Sequence, residues 1–283
     1  MTKRPDYPLS ARLQWYLARS KPLAYTIDCC VQRPYTWWQR RRWENRRTPS
    51  CLVNAEARTY SQNGEDGIIA EIFSRIGEGD KFVVEFGAQN GAECCSRNLI
   101  MNQGWKALLI DGSEKGVIAA RRLYAEFPSV TVSRKFIRVD NILDIFQSYK
   151  IPKSPDLLVI DIDGNDYWIW KEILTVYRPR AVVIEYNGKW GPARDWIMPY
   201  RPDHHWDGSA NFGASLSALT RLGERSGYVL VGCDSRGINA FFVRGELVQD
   251  KFPNHNAGAR FHYVPPGYSR GLGYPYRSSL IRK

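Results

Sequence analysis

Short apolar blocks alternate with amphipathic stretches between residues 61 and 246, and their spacing predicts the elements. In SQNGEDGIIAEIFSRIG (61–77), Ile68, Ile69, Ile72, Phe73 and Ile76 recur at helical spacing and predict one buried helix face. KFVVEFG (81–87) is a continuous apolar run closed by glycine, the pattern of a strand covered on both sides. AECCSRNLIMNQ (92–103) predicts a helix, KALLIDG (106–112) a strand, SEKGVIAARRLYAEF (113–127) a helix and VTVSRKFIRVD (130–140) an alternating strand. NILDIFQSYK is a short helix before the buried strand DLLVIDID (156–163). DYWIWKEIL is helical, RAVVIEYN (180–187) is a strand and GASLSALTRLGERSG (213–227) is an amphipathic helix. YVLVGCDSRGINAFFVRGE (228–246) reads as two strands around the turn DSRG, which implies an antiparallel strand at the sheet edge. Strands that alternate with helices define an α/β class: a Rossmann-like, mostly parallel sheet of seven strands, helices on both faces and a terminal antiparallel hairpin.

Charge divides the chain into three. Residues 1–50 hold 11 Lys/Arg against 3 Asp/Glu, residues 251–283 hold 6 against none, and the body between holds 23 against 26. The expected organisation is a basic, Trp-rich arm (1–57), a domain (58–250) and a basic tail (251–283). QRPYTWWQRRRWENRR (32–47) interleaves Trp37, Trp38 and Trp43 with arginines, a composition that suits an anionic membrane surface, a phosphate backbone or an acidic partner. A slightly acidic body argues against a nucleic-acid enzyme, whose positive stripe runs beside its active site. A nucleic-acid methyltransferase or RNA-binding protein using the basic termini stays as the alternative, although the D/N-P-P-Y motif for methylating base amines is absent. No apolar run is long enough to span a membrane, and the start lacks the apolar centre of a signal peptide. A cytoplasmic protein, held peripherally at the inner membrane face by the arm, is expected. Cys29, Cys30, Cys51, Cys94, Cys95 and Cys233 show no zinc-type spacing and read as reduced thiols.

Ligands of doubly wound folds bind outside the carboxyl ends of the strands, so candidate chemistry lies at the strand exits. The first exit reads Glu85-Phe86-Gly87-Ala88-Gln89-Asn90-Gly91, where glycines let the backbone approach a ligand. Asp111 ends the next strand, 20 residues after Gly91, an offset at which a carboxylate accepts ribose hydroxyls in dinucleotide folds. The GxGxxG of a nicotinamide site is missing.

EFGAQNG resembles motif I of class I S-adenosylmethionine-dependent methyltransferases, which have seven strands, the last antiparallel. With the acidic DIDG before DYWIW, VVIEYN and the leading SQNGEDGI, residues 58–246 resemble the FkbM-type members more closely. The resemblance implies S-adenosylmethionine as cofactor, with Glu85, Gly87, Ala88 and Gly91 at its methionine end, Asp111 at its ribose and Asp140 near its adenine. It also implies a methyltransferase acting on a hydroxyl of a carbohydrate, a surface polysaccharide or a lipid-linked glycan.

Three aspartates, Asp161, Asp163 and Asp166, crowd the fourth strand exit, and Glu185 and Asn187 stand at the next. Crowded carboxylates call for a proton, a cation or a donor. They suit three roles: orienting and deprotonating the acceptor hydroxyl, holding Mg²⁺ through oxygen ligands, or capping structure. Asp166 reads as the N-cap of the DYWIW helix. The loop 188–212 reads as a lid and acceptor site, with Trp190, Trp196, Trp206, Asp207, His204 and His205; His205 is the expected general base, with His204 beside it.

Overall fold

The computed structural model describes residues 51–266. Trp37, Trp38, Trp43, Cys29, Cys30 and the tail beyond residue 266, on which the membrane and phosphate expectations rest, lie outside the described residues.

Seven strands form one sheet: β1 (Phe82–Phe86), β2 (Lys106–Asp111), β3 (Val130–Arg134), β4 (Leu157–Ile160), β5 (Ala181–Glu185), β6 (Tyr228–Cys233) and β7 (Asn239–Arg244). Their order is β3-β2-β1-β4-β5-β7-β6. β1 pairs in parallel with β2 and β4, β2 with β3 and β4 with β5. β7 alone is reversed, antiparallel to both β5 and β6. The expected hairpin is present, but the reversed strand lies one position in from the edge, which β6 occupies. Threading β7 between β5 and β6 satisfies its hydrogen bonds on both sides and buries Phe241, Phe242 and Val243 completely.

Successive strand residues feed opposite faces. Val84, Phe86, Leu108, Ile110, Leu158, Ile160, Val182 and Ile184 share one core with α4 (Ile142–Ser148), α5 (Asp166–Ile173) and α6 (Leu216–Arg225). Val83, Leu109, Val159 and Val183 share the other with α1 (Glu65–Ile76) and α2 (Arg97–Gln103). This two-sided burial is why the strands read as unbroken apolar runs rather than alternating ones. α3 (Glu114–Leu123) links β2 to β3, with the Ser113 hydroxyl accepting from the Gly116 amide at its start.

In DYWIW, Ile169 and Trp170 are fully buried, with Trp170 4.8 Å from Phe242 between ring centroids. The Trp168 indole donates to the Met198 carbonyl at 2.8 Å and ties down the long loop after β5. The packed unit also runs past residues 58 and 250 at both ends. Leu52, Val53, Phe252, Tyr263 and Val264 are buried, and the last two belong to the core that includes α6. Two short helices, α7 (Gly245–Val248) and α8 (Gly258–His262), carry the chain along this margin. No helix among the described residues is long and apolar enough to cross a membrane. Cys94, Cys95 and Cys233 are free thiols, and burial pushes all three well above the ordinary range.

Candidate functional site

β1 and β4 are neighbours running the same way, so their exits meet where the strand order turns. Gly87 sits there with φ +71°, and a Cβ on it would lie 1.7 Å from the Asp161 carbonyl oxygen. Only glycine permits this contact. A Cβ on Gly91 would meet the Tyr124 ring at 2.7 Å instead, so this glycine serves the packing of the loop on α3.

Asp111 joins the first two exits. Its carboxylate accepts from the Gln89 amide at 2.7 Å and the Ser113 amide at 2.6 Å, one on each oxygen, leaving a free lone pair on both. Glu85 behaves differently from the expectation. It is buried and accepts from the amides of Cys95 and Ser96, both at 2.9 Å, and from the Ser96 hydroxyl. Burial raises its pKa and these bonds pull it back. By occupying both amides, Glu85 delays α2 until Arg97, five residues after the helix was expected to begin.

A cavity of about 600 Å³ opens over these exits. Gly87, Gln89, Asp111, Asp161, Asp163 and Glu185 are among its walls. Glu85, Ala88, Gly91, Asp140 and His205 are not. Asp140 is exposed, six residues beyond the end of β3, because the chain leaves the sheet at Arg134 rather than continuing to 140. Nor does it cap α4; Asn141 holds that position.

At the acid end, the carboxylate oxygens of Asp161, Asp163 and Glu185 lie within 4.8 Å of one another. Asp166 shapes this turn from behind: fully buried in the first turn of α5, it accepts from the Ile162 and Gly164 amides, both at 2.8 Å. It thus holds the loop before the helix instead of capping from the N-cap position, which is Asn165. Burial lifts its pKa to about 6 against those bonds. Burial, then the neighbouring carboxylates, push Asp161 and Glu185 well above the ordinary carboxylate range. Asp163, open to the cavity and held at φ +55°, is raised by desolvation while His204 pulls the other way. One Glu185 oxygen, Oε2, is buried without a hydrogen-bond partner. Asn187 is not part of this set: its amide donates to the carbonyls of Ala210 and Phe212, and its oxygen accepts from the Lys189 amide.

The loop after β5 roofs the acid end. Asn165 donates to the Arg201 carbonyl at 2.7 Å, and Met198 donates its amide to Gly213 at 2.9 Å. His204 and Trp206 line the cavity. His204 lies so close to Gly164 that a Cβ there would fall 2.2 Å from its Cδ2. Its Nε2 is buried without a partner, and desolvation lowers its pKa. His205, the expected base, stacks on Phe136 outside the cavity, centroids 5.0 Å apart. Trp190 and Trp196 stack on each other at 4.6 Å and do not reach the cavity, and Asp207 accepts from the Ser209 amide. Gln62, Lys135, Phe136 and Arg236 also form walls, though none is among the sequence-predicted site residues. Two of them lie in segments that carry a sequence signal, Gln62 in SQNGEDGI and Arg236 in the turn DSRG.

No protein-family model matches the chain, and no curated protein matches it. Among solved structures it is similar to the N-terminal domain of EvdMO1 with SAH bound, at 14% identity and TM-score 0.43, covering 72% of this chain and 93% of that one. It is similar to the O-methyltransferase from Bacillus cereus in complex with SAH at 17% identity and TM-score 0.41, covering 71% and 88%. A third likeness is to the CMeT domain of the citrinin polyketide synthase, at 13% identity and TM-score 0.40, covering 58% and 46%. At these values the likenesses carry no argument about what this chain binds.

Proposed function

We propose that the chain is an S-adenosylmethionine-dependent O-methyltransferase acting on a hydroxyl of a carbohydrate. The observation that carries this reading is the single cavity shared by Gly87 and Asp111 with Asp161, Asp163 and Glu185. The donor's residues and the acceptor's residues face one space. Its volume falls within the usual range of small-molecule sites.

The donor end fits the cofactor in two respects. The backbone at Gly87 is bare, so a ligand can lie against it, and the Asp111 carboxylate keeps a free lone pair on each oxygen for the two ribose hydroxyls. When bound, S-adenosylmethionine supplies an activated methyl group on a sulfonium. What remains for the chain is to orient the acceptor oxygen, receive its proton and keep water out. Asp161 and Glu185 are suited to receive that proton, since a carboxylate with a raised pKa is a stronger base than an ordinary one once ionised. His204 closes the same end and replaces His205 as the candidate imidazole. Trp206, 36% exposed at the wall, offers an aromatic face to a sugar ring.

A second reading of the acid end is favoured by the orphaned Glu185 oxygen. Three carboxylates this close, one with a buried oxygen unpaired, fit a hard divalent cation such as Mg²⁺. Asp161, Asp163 and Glu185 would hold it, and its chemistry would be to acidify the bound hydroxyl.

Calorimetric titration of the full chain with S-adenosylhomocysteine tests the cofactor. One-site saturable binding is expected, and absence of heat sinks the proposal. Incubating the protein with methyl-labelled donor and glycan fractions, with and without excess EDTA, then tests acceptor and cation separately. Label transfer that survives EDTA assigns the acids as base and orienting groups.

A further inference from the structure

The cavity holds charge of both signs, and the two cations stand at opposite ends. Lys135 follows β3, whereas Arg236 sits in the turn between β6 and β7. Five strand spacings of about 4.8 Å separate β3 from β7, so these positions are on the order of 24 Å apart. Lys135 therefore belongs to the Asp111 end and Arg236 to the acid end, where β7 pairs with β5 and Asn239 stands opposite Glu185.

The turn carrying Arg236 is over-determined. Asp234, fully buried, accepts from the amides of Arg236 at 2.7 Å, Ile238 at 3.2 Å and Asn239. Ser235 donates its amide to Glu56. Gly237, at φ +72°, seats the turn against the C-terminal segment, where a Cβ would meet the Val264 carbonyl at 2.5 Å. The backbone is held by Asp234, Glu56 and the segment at Val264, while Arg236 itself is exposed and lines the cavity. Among the described residues its guanidinium makes neither ion pair nor hydrogen bond. An unpaired planar fork carried on a held turn at the acid end is suited to bidentate recognition of a carboxylate or phosphate.

We propose that Arg236 binds an anionic group of the acceptor, so that the substrate is an acidic or phosphorylated carbohydrate rather than a neutral one. The inference rests on the O-methyltransferase reading and narrows its substrate class. Charge then sets the register. The arginine holds the anion at β7, and a hydroxyl beside it points at Asp161 and Glu185.

The test uses the full chain, at constant ionic strength, with D-glucuronate, glucose 6-phosphate and glucose as calorimetric probes, in the presence and absence of S-adenosylhomocysteine. At least one charged probe is expected to bind about tenfold more tightly than glucose. Arg236→Gln should reduce that preference to about twofold or less, with unchanged thermal midpoint and unchanged S-adenosylhomocysteine affinity. Equal binding of charged and neutral probes, no binding of any, or a preference that survives the substitution overturns the proposal. If Arg236→Gln instead weakens S-adenosylhomocysteine while leaving the probe preference intact, the arginine serves the cofactor's own carboxylate and the proposal also fails. A wild type that binds charged probes but no S-adenosylhomocysteine keeps the anion site and sinks the methyltransferase reading, so the two failures are distinguishable.

Discussion

The two ends of the cavity use the same residue type in opposite ways. At the Asp111 end both oxygens of the carboxylate already accept backbone amides, which stitches two loops together before any ligand arrives. At the acid end Asp161, Asp163 and Glu185 crowd within 4.8 Å, their protons are held more tightly than usual, and Glu185 Oε2 has no partner. The first arrangement is a finished piece of architecture. The second is costly by itself, and it makes sense when something binds there: a proton, a hydroxyl or a cation. Preorganisation and unspent binding capacity are thus segregated along one sheet edge.

Substitutions at the two ends should therefore separate binding from turnover. Asp161→Asn is expected to lower methyl transfer by about 100-fold to 10⁴-fold while S-adenosylhomocysteine affinity stays within about twofold, measured by labelled-methyl incorporation and calorimetry. A parallel loss of affinity would erase the distinction between the ends. Gly87→Ala should act on the other side. Its Cβ would collide with the Asp161 carbonyl in a left-handed backbone, at a cost of about 2–3 kcal/mol, and S-adenosylhomocysteine affinity should drop about 100-fold. Undiminished affinity would mean the loops part freely and the bare backbone is not part of the cradle.

The histidines sharpen the comparison at smaller scale. His204→Gln is expected to reduce turnover about tenfold, whereas His205→Gln, on a residue outside the cavity that stacks against Phe136 and contacts the Asp203 carbonyl, should stay within about twofold. The reverse ranking would restore His205. The smallest effect concerns stability against pH. Burial raises Asp166 to about 6 and Asp234 to about 7 in the folded state. Folded values above the unfolded ones make their contribution greatest below about pH 4, and it fades as pH rises through 6 and 7. The thermal midpoint should fall modestly between pH 5 and pH 8. Asp234→Asn should lower the midpoint at pH 5 and flatten that dependence, and a midpoint that climbs with pH would contradict the assignment.

Strand and helix positions were legible because β1, β2, β4 and β5 are buried on both faces, which forces unbroken apolar runs into the chain. Boundaries failed where side chains from elsewhere intervened. Glu85 captured two amides and shortened the helix expected from residue 92, and the alternation expected through residue 140 stopped at Arg134, since Phe136 and Ile137 turn to the cavity wall. The crowded acids at 161, 163 and 185 were visible as a motif, whereas Arg236 and Lys135 were not, because an isolated basic residue carries no signal until the fold shows what it faces.

The order of apolar and polar positions was sufficient for an α/β sheet with glycine at one strand exit and acids at another, because periodicity and turn chemistry are local properties of the chain. Which carboxylates are spent on backbone amides, which are left open, and which histidine reaches the cavity were decided only by tertiary packing. The reason is physical: a carboxylate's role depends on the donors, charges and solvent within a few ångströms, and those neighbours come from distant parts of the chain.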